Sequence, residues 1–166
     1  MTTIISWQDV TQEACEFLVS HSSDPHLAAD TYFPCVTDLS VALTWFQLCP
    51  LHAWIIREGD TAVGLIATVD PNFVEIPARY VEICTYISPE HRGFGISVRA
   101  WQLAESFLEV PYLGLAAATW CDNASSISRL RKSGFSFNEK VWFNSRVVTE
   151  RSDWCDLWLK TFVRRT

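Results

Sequence analysis

An apolar strand, a polar glycine-rich turn and an amphipathic helix follow one another without a spacer between Val81 and Leu108, and this stretch constrains the chain more than any other. Val81, Ile83, Thr85, Tyr86 and Ile87 are β-branched or aromatic, and the breaker pair Ser88-Pro89 ends the strand they predict. Val98, Trp101, Ala104 and Leu108, with Ala100, Leu103 and Phe107 beside them, recur at three- and four-residue steps and predict a helix. Between the two lies Arg92-Gly93-Phe94-Gly95-Ile96-Ser97. Its glycines permit backbone angles that turn successive amides toward the start of the helix, where the dipole is positive and an arginine adds a full charge. Such a turn is either an anion site or a plain structural turn, and the bare pattern does not name a ligand.

A chain of 166 residues, about half of them apolar, is long enough for one domain with a core of its own and short for two. No apolar run approaches the roughly 20 residues needed to cross a bilayer. The first residues lack a basic start followed by an apolar stretch, so a soluble, cytoplasmic protein is expected. The six cysteines are scattered, several inside apolar runs, with no C-x-x-C and no histidine cluster, so neither zinc nor a disulfide framework is expected. A net charge of −6 argues against direct nucleic-acid binding through phosphate contacts. It suits a cationic partner better, or simply keeps the protein in solution.

The chain read in order begins with a short β-like segment over Thr2–Ser6. Asp9 or Thr11 caps a helix carrying Val10, Ala14, Phe17 and Leu18, followed by a polar loop from His21 to Pro25 and a stretch, His26 to Pro34, with no clear period. Asp38 opens a second helix with Leu39, Ala42, Leu43 and Phe46 at helical spacing, closed by Pro50. Leu51–Arg57 and Thr61–Val69 form a hairpin around Glu58-Gly59-Asp60, and Asp70–Ala78 is a loop before the central strand, placed from about Arg79 to Ser88. After the helix come a strand over Tyr112–Thr119 and a helix over Asn123–Ser133 stopped by Gly134. Strands over Phe135–Arg146 and Ser152–Phe162 close the chain. Trp101, Trp142, Trp154 and Trp158 fall on regular periods and read as core, whereas Trp7, Trp45, Trp54 and Trp120 are less easily placed, and Trp45 with Phe46 in the second helix reads as core ahead of a binding pocket. The mixture implies an α/β sheet covered by helices.

Two strings resemble motifs of the GNAT acetyltransferases. Pro89-Glu90-His91-Arg92-Gly93-Phe94-Gly95 is similar to the pyrophosphate-binding R/Q-x-x-G-x-G/A, with Arg92 and Gly95 in the first two positions and Ser97 in the third. Asn123 to Phe135 is similar to N-x-x-S/A-I-x-x-Y/L-x-K-x-G-F, with Asn123, Ser126, Ile127, Lys132, Gly134 and Phe135 in register. Together they look most like the branch that acetylates ribosomal-protein N-termini. The resemblance implies a GNAT-type mixed, largely antiparallel central sheet of about six to seven strands flanked by about four helices. It also implies acetyl-CoA as co-substrate, no metal, and an amine acceptor. It leaves a homodimer open.

For individual residues the resemblance implies a coenzyme A site at Tyr86, Ile87, Arg92, Gly93, Phe94, Gly95, Ile96, Ser97, Asn123 and Ser126. Asn123 either caps its helix or offers an amide to the pantetheine arm, and Ser126 is either a helix-start serine bonded to Asn123 or the acid that serves the departing thiol. Many members carry a tyrosine for that second role where this chain has Leu130. Glu82, among apolar neighbours, is the base that removes the amine's proton, its pKa raised by burial, or else an exposed strand residue or a partner of Arg79. A splay of the central strand near Tyr86 and Ile87 would free an amide for the thioester carbonyl. The expected reaction is direct attack of a primary amine, borne by a peptide N-terminus, a small molecule or an antibiotic, in a ternary complex. A coenzyme A-binding module without turnover is the alternative, motivated by Leu130, Ser97 and Cys84.

Overall fold

Strand β2 (Pro50–Glu58) sends Trp54 and Ile56 to one face and Ala53 and Ile55 to the other, and all four are buried. A strand apolar on both faces must be covered on both, and this sets the architecture. The computed structural model describes residues 1–69, 75–108, 112–144 and 152–162. With β2 run β1 (Thr2–Ser6), β3 (Thr61–Val69), β4 (Tyr80–Ile87), β5 (Gly114–Trp120), β6 (Ser136–Asn144) and β7 (Ser152–Thr161), in one sheet of order β1-β2-β3-β4-β5-β7-β6. Every neighbouring pair is antiparallel except β4 and β5. The sheet is therefore the mixed, largely antiparallel one expected.

Helices α1 (Thr11–Ser20) and α3 (Leu39–Leu48) cover one face, packing Phe17, Leu18, Ala42 and Phe46 on Ile55, Leu65 and Ala67. Helix α4 (Ile96–Glu105) covers the other, packing Ile96, Ala100, Trp101 and Ala104 on Trp54, Ile66, Ile83 and Leu115, with Leu130 of α5 (Ala124–Lys132) in the same cluster. Full burial of one such Leu or Ile contributes about 1.5–3 kcal/mol. Turns fall where the residues demand them. Gly59, at φ 62°, forms a two-residue turn with Asp60 between the paired Glu58 and Thr61, and Gly134 follows α5 at φ 83°.

Several expectations need correction. A fifth, short helix, α2 (Pro25–Asp30), occupies much of the stretch without a clear period, with Pro25 in its first turn and Asp24 accepting from the His26 amide. The helix of the central stretch ends at Glu105, short of Leu108, and Leu103 and Phe107 lie toward solvent instead of in its packed face. Trp142 and Trp154 are half exposed, stacked edge to face on the outermost strand pair, because β6 has no further strand or helix over it among the described residues. Part of the loop placed at Asp70–Ala78 and the last two residues of the strand placed at Phe135–Arg146 lie outside the described residues.

Candidate active site

The parallel pairing of β4 with β5 lasts three residues, Tyr80 to Glu82 against Gly114 to Ala116. Beyond Glu82 the strands part, while the β3–β4 ladder continues without a register shift through Ile87. The opening in the sheet is thus a divergence that begins at Ile83, earlier than the Tyr86–Ile87 position expected, and β4 carries no bulge against β3. A cleft of about 60 Å³ fills the gap, lined by Ile83, Cys84 and Thr85 from β4, by Ala117 and Ala118 from β5 and by Tyr32.

On the α4 side the cleft meets a cavity of about 680 Å³, with Thr85, Asn123, Ser126 and Arg129 on both walls. The glycine turn forms one end of that cavity. Gly93 at φ 87° and Gly95 at φ 71° hold left-handed backbone that a side chain would strain. Gly95 is the N-cap of α4, with no side chain capping it, so the first amides of the helix have no partner within it. A Cβ at Gly93 would meet nothing within 4 Å. Arg92, Gly93, Gly95, Ile96 and Ser97 line the cavity there, with the first amides of α4 bordering a space open to an anion, and Lys132 of α5 lies elsewhere on its wall. Tyr86 and Ile87 also reach its wall. Phe94 does not: its side chain is 69% exposed.

The arginine of the glycine turn is already engaged. Its Nε donates to the Ile87 carbonyl at 2.9 Å, and its Nη2 forms an ion pair with Asp24. Asp24 also accepts from the Tyr86 hydroxyl at 2.7 Å. Burial raises the Asp24 pKa, but the Tyr86 hydroxyl, the His26 amide and Arg92 outweigh it and hold the carboxyl below its usual range. Arg92 therefore ties the glycine turn to the start of α2, and the loop amides remain the free donors at that end.

Asn123 does cap α5, its Oδ1 accepting from the Ser126 amide at 3.0 Å while its Nδ2 reaches Asp30 at 3.4 Å. Ser126 is buried, and its Oγ accepts from Arg129 Nη2 at 3.0 Å. Leu130 lines the cleft with an aliphatic side chain that can donate nothing.

Alternation along β4 sets the last component. Val81, Ile83 and Ile87 face α4, whereas Cys84 and Tyr86 face α1 and α3, so Glu82 belongs to the α1–α3 face, opposite the glycine turn. Glu82 is fully buried and takes no part with Arg79. Oε1 accepts a 2.6 Å hydrogen bond from the Tyr32 hydroxyl, and Oε2 is buried and, among the described residues, has no hydrogen bond of normal geometry. Burial pushes its pKa up to about 7, against the Tyr32 hydroxyl and the Ala118 amide, which pull the other way. Glu82 stands behind the cleft wall, and Tyr32 is the polar group that connects it to the opening. Tyr32, Asp24 and Arg129 were not legible as site residues. Tyr32 lies in the stretch without a clear period and Asp24 in the polar loop before it; Arg129 had one signal, its three-residue step from Ser126 on the inward side of α5.

Residues 12–135 match the profile of the acetyltransferase (GNAT) family. Among solved structures, a probable acetyltransferase from Chromobacterium violaceum aligns at 17% identity over 96% of this chain and 82% of its own, with a TM-score of 0.74. The Salmonella typhimurium acetyl transferase that modifies the N-terminal serine of a 50S ribosomal subunit protein aligns at 12% identity, 98% and 95% coverage and a TM-score of 0.75. Spermidine N-acetyltransferase from Vibrio cholerae, in complex with CoA and spermine, aligns at 12% identity, 96% and 95% coverage and 0.73. No curated protein sequence matches the chain.

Proposed function

Because the chain belongs to the acetyltransferase (GNAT) family, we propose that it transfers the acetyl group of acetyl-CoA to a primary amine by direct attack in a ternary complex. The observation that carries this reading is the divergence of β4 and β5. The cleft it opens meets the cavity of the glycine turn and is lined by Tyr32, whose hydroxyl is hydrogen-bonded to the buried carboxylate of Glu82. The structural neighbours named as a spermidine N-acetyltransferase and as an acetyl transferase that modifies a protein's N-terminal serine support the acceptor class.

The residues present fit the coenzyme. Open space at Gly93, left-handed backbone at Gly93 and Gly95 and the free amides at the start of α4 suit a diphosphate, with Lys132 elsewhere on the wall of the same cavity. Asn123 and Ser126 would flank the pantetheine arm and Ser97, small and buried, allows close approach. When bound, acetyl-CoA supplies a thioester whose C–S bond breaks, with its electron pair left on sulfur, as the acceptor nitrogen forms the new C–N bond.

The protein's own residues manage the proton. The nitrogen must lose one, and Tyr32 is the polar group on the cleft wall that leads to a base. The Tyr32 oxygen takes the amine proton as its own moves to Glu82 Oε1 along the 2.6 Å hydrogen bond. A carboxylate with pKa near 7 is matched to that work at neutral pH.

Release of free thiol from acetyl-CoA, followed with a panel of peptide N-termini, polyamines and aminoglycosides, tests this reading. Turnover with at least one class is expected. Binding of acetyl-CoA without release for every acceptor would favour a coenzyme A-binding module, the reading that Leu130 supports.

A further inference from the structure

We propose that Arg129 is a positioning residue for the departing thiol: it fixes Ser126 as a hydrogen-bond donor toward the sulfur of coenzyme A and lends its charge to the thiolate. This rests on the acetyl transfer proposed above, and it supplies what Leu130 cannot.

The geometry begins on α5. Ser126 and Arg129, three residues apart, share its inward face, and both line the cleft and the cavity. The Arg129 guanidinium lies over Trp101, 5.3 Å from the ring centroid, and Trp101 in turn donates to Thr85 of β4. That stack holds Nη2 against Ser126 Oγ at 3.0 Å. Arginine is always a donor and never an acceptor, so the serine oxygen must accept from it. The serine hydrogen is left to point elsewhere, and the open directions from Ser126 are the cleft and the cavity.

The Arg129 Nε is inaccessible to solvent and has no hydrogen-bond partner among the described residues. Nε is thus not the group that meets a ligand; Arg129 lines both the cleft and the cavity, and it is through the charge of the guanidinium as a whole, and through Nη2 on Ser126, that it bears on an anion arriving there. The carboxylate acting on Arg129 is that of Asp30, from α2, which favours its charged form against burial. The other titratable groups on the cleft wall are Tyr32, Cys84 and Cys155. Cys84 is pushed up to about 12 by burial and Tyr32 is raised well above its ordinary value, so both stay neutral around pH 7.

In the step itself the C–S electron pair passes to sulfur, and the amine proton has gone through Tyr32 to Glu82. Ser126 keeps its proton and donates a hydrogen bond to the thiolate, which regains a proton from solvent after release. No full transfer from serine is needed, because a thiol of pKa about 8.5 is a fair leaving group once its anion is stabilised.

Equilibrium binding separates this role from a structural one. Dissociation constants for coenzyme A and for desulfo-coenzyme A, which lacks the thiol, are measured at about pH 6.5 and about pH 9.5. If Arg129 lowers the bound thiol's pKa by about one unit, coenzyme A binding tightens roughly ten-fold across that range relative to desulfo-coenzyme A. Arg129→Met should erase the preference for coenzyme A over desulfo-coenzyme A at high pH, whatever it does to the affinity for both ligands alike, Arg129→Lys should restore part of the preference, and Ser126→Ala should reduce it in a protein that keeps Arg129. The Ser126→Ala arm stands if Arg129→Met fails to fold. An Arg129→Met protein that keeps the full preference, a Ser126→Ala protein that keeps it, or a wild-type protein with no preference would each overturn the assignment. Failure of the wild type to bind either ligand would instead overturn acetyl transfer, and this role with it.

Discussion

The Tyr32 hydroxyl donates a 2.6 Å hydrogen bond to Glu82 Oε1, joining the segment after α2 to the middle of the central strand. Tyr32 stands on the cleft wall and Glu82 behind it, so the phenol is placed to pass a proton from the cleft to Glu82. With Glu82 held near pH 7, kcat should rise through that region and level off above it, as the ionised form takes over. Tyr32→Phe should lower kcat by about 100-fold. It should also move the acid limb of the remaining activity to higher pH, because a hydrogen bond favouring the ionised carboxylate is gone. The pH profile of kcat for the two proteins checks both effects.

Glu82 should also leave a mark on stability. Its folded-state pKa lies above the unfolded value of 4.5, so between those values the folded state binds more protons and stability falls as pH rises. The loss is complete above about pH 7 and is on the order of 3 kcal/mol. Glu82→Gln, which keeps an acceptor for Tyr32, should therefore be more stable than the wild type at pH 8 and close to it below pH 4.5. Urea unfolding at several pH values measures the difference.

Asp24 carries the opposite sign. Its side chain is 7% exposed and is held by Arg92 and the Tyr86 hydroxyl. Its folded pKa is depressed, so its contribution is present above the ordinary carboxylate pKa and is lost as pH falls through the lowered one. Asp24→Asn should cost about 1–3 kcal/mol near neutral pH, with the difference from wild type shrinking in acid. Thermal unfolding of the two proteins between neutral and acid pH is the check.

Much of this arrangement could be read from local pattern. The strand, glycine turn and helix from Val81 onward and the capped helix at Asn123 each declare themselves within a dozen residues, since β-branching, glycine and helical spacing act at short range. The burial of Glu82 was suggested by its apolar neighbours. Its partner was not, because Tyr32 reaches it from 50 residues away, out of a stretch with no usable period. The engagement of Arg92 was hidden for the same reason, since Asp24 is 68 residues distant. Trp142 and Trp154 misled because alternation shows which side chains share a face, not whether anything covers it.

The central claim is that the backbone amides of residues 93 to 97 grip the diphosphate of acetyl-CoA. Calorimetric titration of acetyl-CoA into the wild type and into Gly95→Glu tests it most directly. A side chain at Gly95 is strained by its φ of 71°, so it should pull the surrounding amides out of place, and a glutamate adds negative charge at the mouth of the cup. One coenzyme bound per chain by the wild type and none by the variant is the predicted result. Equal affinity for the two proteins, with Gly95→Glu folded, would contradict the account.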